Sequence, residues 1–515
     1  MLKFIRKCYE VTIMNTRKSG ILLPISALPS KYGIGSFSKE AYDFADRLAE
    51  AGQHYWQILP LGPTSYGDSP YASFSTFAGN PYFIDLEEFI HNGWLTKKEC
   101  DACDFGSSPS YVDYDKQYVL RFPLLKKAYA ASGINKDRKF KAFCKKEAEW
   151  LDDYALFMAL KDAHGGKSWS QWEPKLRLRD EKTLNEYKEK LADEIGFWKF
   201  VQYEFRVQWM KLKEYCNKKD IEIIGDLPIY VAYDSADVWA DPKLFQLDRN
   251  RQPKRVAGCP PDAFSATGQL WGNPLYDWKY HKATGYAWWI RRMANSFRWY
   301  DIVRIDHFRG FEAYYSIPFG DKTAEFGKWV KGPGYDLFEK MHEELGDVKV
   351  IAEDLGVITD EVRALLKQCG YPTMKVLSFA FDPWGSQYAN EYLPWNYGSN
   401  CVVYTGTHDN DTLYGMAQKL NDDQKKWVLS CLHYDKLNEK DIVDGLIWLA
   451  QSSVANMCII PMQDYLGLGN EARMNEPSTL GNNWKWRLTK SQFSKKVADK
   501  IYKVTWTANR CERRR

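Results

Sequence analysis

A cysteine-rich framework, blocks of positive charge and long apolar runs are all missing from this sequence, and each absence removes a class of function. The 11 Cys include one CxxC pair, Cys100 and Cys103, and are otherwise scattered over 515 residues. An odd count spread along a long chain reads as the reduced thiols of a cytosolic protein, not as a disulfide framework or a zinc ribbon. The net charge is only +4, and no basic block occurs apart from the terminal RCERRR, which reads as a solvated end. The electrostatic footprint of a nucleic-acid binder is therefore lacking. No apolar stretch approaches the ~20 residues of a membrane span. The opening MLKFIRKCYEVTIMN carries Glu10 where a secretory apolar segment would run, and no small-residue cleavage site follows it. A soluble cytoplasmic protein is expected, with neither a nucleic-acid nor a membrane partner. Internal repeats, low-complexity linkers, HxH or HExxH spacings and Gly-rich phosphate loops are absent too, so no metal and no cofactor is expected.

What the chain has in quantity is aromatic side chains. Phe, Trp and Tyr supply 16% of the residues, with 21 Trp, many beside Gly, Pro, Asp or Asn. Flat apolar faces next to polar groups suit sugar rings, and a large core uses them equally well. A 45% hydrophobic content over this length is enough for one such core. Short β-branched runs ending in polar or Gly residues occur at 20–25, 55–62, 221–231, 301–308, 348–356, 374–382, 401–411 and 457–467. Segments of helical periodicity lie between most of them, as at 39–52, 323–346 and 360–370, each ending at or near Gly. Strands alternating with helices imply a parallel sheet, and eight such units fit a closed (β/α)8 TIM barrel of the α/β class.

The spacing is uneven. About 160 residues separate the second run from the third, far more than the ~30 of one βαβ unit. An inserted lobe is expected at about 80–200, with helical patterns at 141–165 and 194–219, the latter leading back into the barrel. A second insertion at 241–278, rich in Pro, Gly and polar residues, is expected as a long top-face active-site loop. Residues 1–18 read as an N-terminal extension and 19–515 as a single catalytic domain without a C-terminal β-rich domain.

Charged residues collect at one end of these runs. Asp226 closes the third, Asp306 the fourth, Glu353 with Asp354 the fifth, and His408 with Asp409 the seventh. In a barrel those ends form one rim, the rim that carries active sites. Taken singly, Asp354 or Asp411 reads as a helix cap or a salt bridge. As a set the carboxylates repel one another, and such crowding accompanies chemistry that needs carboxyl groups of different pKa. Arg304 lies two residues before Asp306 on the same strand face, where it can hold that carboxylate ionised or serve only as a structural strand end. Two chemistries use such a rim. One is metal-assisted hydrolysis. The other is glycosidic cleavage, in which one carboxylate attacks and a second, protonated, donates to the leaving oxygen. The aromatics and the missing phosphate loop favour sugar.

At these residues the sequence resembles the 4-α-glucanotransferases of the amylomaltase or disproportionating-enzyme type, glycoside hydrolase family 77, which are relatives of the α-amylases. The motifs that carry the resemblance, from about Ser19 to Arg487, include ILLPISALPSKYGIGSF, WQILPLGPTSYGDSPYASFSTFAGNPYFIDL, GDLPIYVAYDSADVW, GCPPDAFSATGQLWGNP, VRIDHFRG, IAEDLG and TGTHDND. The resemblance implies a (β/α)8 barrel that moves a segment of an α-1,4-glucan to an acceptor glucan or glucose, with retention. It implies Asp306 as nucleophile, Glu353 as general acid/base and Asp409 as the carboxylate that favours a distorted sugar ring. Arg304 would hold Asp306, while His408 and Asp226 would contact the sugar before the scissile bond. Tyr66, Asp68, Ser69 and Tyr71 match sugar-contacting positions. Asp262, Gln269 and Trp271 match positions near the acceptor side, their other reading being loop scaffolding. One departure is visible: Ser478 stands between Pro477 and Thr479 where the family usually has Gly, so a turn needing positive φ would be strained there. A hydrolytic α-amylase-like enzyme and an inactive carbohydrate-binding barrel are the competing readings. The first normally brings a C-terminal β-domain and often calcium ligands, and the second is free to lose carboxylates that are all present here.

Overall fold

The computed structural model describes residues 17–65, 67–261, 265–381, 390–479 and 481–513. Most of the expected N-terminal extension, residues 1–16, lies outside them. The strands in chain order are β1 (Lys18–Leu22), β2 (Tyr55–Gln57), β3 (Glu222–Leu227), β4 (Arg255–Cys259), β5 (Gln269–Pro274) and β6 (Ile302–Ile305). They continue as β7 (Ala313–Pro318), β8 (Lys328–Lys331), β9 (Val350–Ala352), β10 (Thr373–Val376), β11 (Cys401–Tyr404) and β12 (Met457–Pro461).

Eight of these form one sheet in the order β10-β11-β12-β1-β2-β3-β6-β9, paired in parallel throughout. Six of them lie within the runs read from the sequence, while β1 starts two residues before the run at 20–25 and β10 one residue before the run at 374–382. The first and last strands of that order, β10 and β9, are stitched without a ladder. The Ala352 N–H donates to the Pro372 carbonyl at 3.1 Å, and the Met374 N–H to Asp354 Oδ1 at 2.7 Å. The result is a (β/α)8 barrel. Alternate strand residues, among them Leu22, Tyr55, Ile224, Ile302, Met374 and Met457, fill its interior. Their neighbours, such as Ile21, Trp56, Ile223 and Val303, face outward into the larger core shared with the helices. The helix Lys39–Glu50 illustrates that shell, burying Ala41, Phe44, Ala45 and Leu48 along one stripe. No helix of the described residues is long and apolar enough to cross a membrane, and among them no strand follows β12.

Helices fill the interval between β2 and β3. The pattern at 141–165 is two helices, Arg138–Lys146 and Ala148–Ala163, rather than one. Glu147 separates them with φ −99° and ψ 7°, a departure too small to disturb the sequence period. Its buried carboxylate takes Arg206 at 3.1 Å and Arg298 at 3.3 Å. The helix Ala192–Asn217 then leads into β3.

Two sequence expectations need correction. The stretch at 323–346 is not one helical segment, since it contains β8 followed by the helix Tyr335–Leu345. The interval 241–278 is not only loop, since it supplies β4 and β5. These three strands join β7 in an antiparallel sheet, ordered β5-β4-β7-β8, beside the barrel. Gly332 and Gly334 break the helical run, and Trp329 finds a cross-strand partner in Tyr315, with ring centroids 5.1 Å apart.

Ser478 has φ 65°. The Thr479 N–H donates to the Glu476 carbonyl at 3.2 Å, so Pro477 and Ser478 are the central residues of a turn whose second position calls for Gly. Ser478→Gly is expected to raise stability by about 0.5–1 kcal/mol, the relieved left-handed strain exceeding the added freedom of the unfolded chain. Chemical unfolding of both proteins checks this.

Candidate active site

The rim at the strand C-termini is organised by cross-strand register. Asp226 on β3 and Arg304 on β6 are direct partners in the ladder. Arg304 Nη1 donates to both Asp226 oxygens at 2.7 Å and lies 3.1 Å from Asp306 Oδ1. Arg304 is thus committed first to Asp226 and reaches Asp306 with the same nitrogen. Gly225 makes this placement feasible, because a Cβ there would stand 2.1 Å from the Tyr300 ring. Tyr71 closes the group by donating its hydroxyl to Asp226 Oδ2 at 2.7 Å.

Asp306 and Glu353 follow β6 and β9 at matching positions, one residue past the pair Ile305 and Ala352. The Glu353 N–H donates to the Ile305 carbonyl, and the Phe308 N–H to the Glu353 carbonyl, both at 3.0 Å. Glu353 is buried, its Oε2 accepting the His307 N–H at 2.7 Å and its Oε1 the Leu355 N–H at 2.8 Å. His307 takes up the left-handed conformation, φ 50°, to present that N–H.

The electrostatics follow from enclosure. Burial pushes Asp306 up to about 8 against the pull of Arg304, with Asp226, Glu353 and Asp409 adding to the rise. Its side chain keeps 30% of its surface open to the cleft, so water offsets part of that push. Burial also raises Glu353, opposed by Arg304 and by the two backbone N–H groups. The two carboxyls share one field, and their protons leave in steps that belong to the pair.

On the opposite wall, His408 stacks on Tyr71 with centroids 5.1 Å apart, and burial lowers its pKa. Its Nε2 lies 3.4 Å from Asp409 Oδ1. Asp409 is held from outside the strand set. Asn475 Nδ2 donates to its Oδ1 at 2.6 Å, Arg473 Nη2 to its carbonyl at 2.6 Å, and the Asn475 N–H to the His408 carbonyl at 3.0 Å. Trp484 packs against both Tyr71 and His408 at 5.8 Å. Asn475, Arg473 and Trp484 are absent from the set read from the sequence. The signal available was their position in RMNEPSTLGNNWKWR, a motif in which only Ser478 drew comment.

The remaining residues are distributed around this centre. Ser69 Oγ accepts the Tyr71 N–H at 3.2 Å and so shapes the turn that presents Tyr71. Asp68 lines a separate pocket of about 380 Å³ with Tyr111, Asp113, Asp115 and Lys485, where burial pushes it up to about 6. Trp271 on β5 stands edge-on to His307 at 4.9 Å, and its Nε1 donates to Gln269 Oε1 at 3.1 Å. This brings the edge of the antiparallel sheet over the loop that follows Asp306. Tyr66 and Asp262 lie outside the described residues.

The chain is similar to known proteins along most of its length. The family model described as 4-alpha-glucanotransferase, glycoside hydrolase 77, matches residues 23–492. A 4-alpha-glucanotransferase of Clostridium butyricum is 50% identical over 490 residues, covering 95% of this chain and all of the relative. One from Streptococcus pneumoniae serotype 4 is 48% identical, covering 96% of this chain and 97% of the relative. The amylomaltase of Streptococcus agalactiae, solved in complex with acarbose, superposes with TM-score 0.93 at 40% identity, over 96% of this chain and 100% of that one. A barrel with this carboxylate rim, matched across nearly its whole described length, belongs to the 4-alpha-glucanotransferase family.

Proposed function

We propose that this chain transfers a segment of an α-1,4-glucan from a donor to an acceptor glucan or glucose by a retaining double displacement, acting in the cytoplasm. The observation that carries this reading is the matched placement of Asp306 and Glu353 on adjacent parallel strands, with Arg304 on the first of them. Neighbouring strands lie about 4.8 Å apart, close to the roughly 5–5.5 Å between carboxyls that retention requires.

In the first step an Asp306 oxygen attacks the anomeric carbon. The glycosidic C–O bond breaks, and the proton of Glu353 goes to the departing oxygen. In the second, Glu353 takes the proton of the acceptor hydroxyl, whose oxygen displaces Asp306 from the ester. The raised Glu353 suits the donor role, since a carboxyl in the ordinary range would be ionised near neutrality. Asp226 and Tyr71 keep Arg304 in place, while Asp409 and His408 face the donor sugar. Trp271 and Gln269, at the edge of the β5-β4-β7-β8 sheet, supply a cover that favours a sugar acceptor over water.

The test is incubation with maltotriose and chromatography of the products. Longer maltooligosaccharides together with glucose are expected. Only shorter products would point to hydrolysis, and an unchanged substrate to a binding protein.

A pH effect follows. The nucleophile must be ionised, so kcat/KM rises as pH climbs through the titration of the pair. Asp226 is one of the charges that raise both carboxyls. Asp226→Asn removes that charge and frees Arg304 for Asp306; both changes ease ionisation. The acid limb of the kcat/KM profile is expected to move to lower pH, and a shift to higher pH would contradict the electrostatic assignment.

A further inference from the structure

Arg304 is a buried cation, 4% exposed, whose Nη1 is occupied by Asp226 and Asp306. Its Nε points the other way, across the barrel interior toward β10, and donates to Met374 Sδ at 3.4 Å. Met374 is 1% exposed and sits among the aliphatic side chains that fill the barrel. Its own N–H is held by Asp354 Oδ1 at 2.7 Å across the one junction of the barrel that has no ladder. The residue after the general acid/base candidate therefore fixes the strand position from which the sulfur faces the guanidinium.

We infer that Met374 is a positioning residue for Arg304, its thioether satisfying the Nε–H without adding charge. A buried donor left without an acceptor is costly. A carboxylate at this place would draw the guanidinium charge away from Asp226 and Asp306, and an aliphatic side chain would orphan the Nε–H. A thioether is a weak, neutral acceptor of apolar shape, compatible with both the core and the cation. The inference rests on the transfer reading for its kinetic consequence, although not for the contact itself.

Met374→Leu and Met374→Gln separate this role from packing. Packing alone predicts that Leu, apolar and similar in volume, is tolerated better than Gln. Positioning predicts the reverse in turnover. On maltotriose, Met374→Leu is expected to lose about tenfold in kcat with KM nearly unchanged, while Met374→Gln, which restores an acceptor, recovers to within about threefold of wild type. The second readout, independent of reaction and of whether the Gln variant folds, is hydrogen exchange of the Arg304 Nε–H followed by NMR. Exchange about tenfold faster in Met374→Leu than in wild type is expected. The inference stands only if kcat falls and exchange quickens together in the Leu variant; either change alone, neither, or a folded Gln variant slower than Leu overturns it. A wild-type protein that makes no longer products from maltotriose would instead remove the transfer reading and leave the exchange measurement to decide the contact.

Discussion

Asp306→Asn is expected to lose about 10³-fold or more of transfer activity on maltotriose and, at the same time, to be more stable than wild type at pH 8. The loss follows from removing the nucleophile, because no other carboxylate stands one residue past β6 opposite Glu353. The gain follows from linkage. Asp306 is raised to about 8 in the folded chain, against about 4 for an unfolded Asp. Between those values the folded state binds more protons than the unfolded one, so the contribution of this group to stability falls as pH rises across the window. Asn has no such dependence. The melting temperature of the variant should meet that of wild type near pH 4 and exceed it increasingly toward pH 8, with Arg304 still held by two contacts to Asp226. Glu353→Gln should lose activity to a similar degree. Retention of a tenth of wild-type turnover by either variant would remove the assignment, and a variant less stable at pH 8 than at pH 4, relative to wild type, would remove the linkage argument.

That coexistence of instability and chemistry explains which parts of the site the sequence could disclose. The barrel strands were legible because parallel strands covered on both faces appear as continuous runs such as IEIIGDL and CVVY. The carboxylates were legible because they terminate those runs. Strand order was not, and with it went the main partner of Arg304. The sequence pairs Arg304 with Asp306, two residues away, whereas the register of β3 against β6 puts Asp226 directly opposite it. Asn475 and Arg473 were hidden for another reason. They act from a stretch without periodic pattern, 473–475, through backbone and amide contacts that no spacing rule reports. The antiparallel sheet was missed because β4 and β5 meet at an irregular register, with Gly258 opposite Leu270, so alternation never develops. The aromatic excess proved mostly structural: Trp56, Trp169, Trp209, Trp239 and Trp289 are fully buried. Among the described residues, Tyr71, Trp271 and Trp484 stand at the cleft.

Arg304→Met should be the most destabilising single change at the rim. It removes the cation from between two carboxylates, one of which, Asp226, has 1% side-chain exposure. Breaking a buried pair by deleting one partner typically costs about 3–5 kcal/mol, because the remaining charge stays desolvated. Tyr71 would be left as the hydroxyl donor to Asp226, a single neutral hydrogen bond at 2.7 Å against the two charged ones now lost. The melting temperature is therefore expected to drop by several degrees. Activity should fall as well, since Arg304 is the group that opposes the rise of Asp306; without it the acid limb of kcat/KM moves to higher pH. The double variant Arg304→Met with Asp226→Asn separates the two consequences. Neutralising Asp226 removes the stranded charge, so more than half of the lost stability should return. Activity should not return with it, because the Asn amide cannot orient Asp306 as the guanidinium does. Recovery of both would mean that Arg304 serves the fold alone, and recovery of neither that the cost lies in packing rather than in the uncompensated carboxylate.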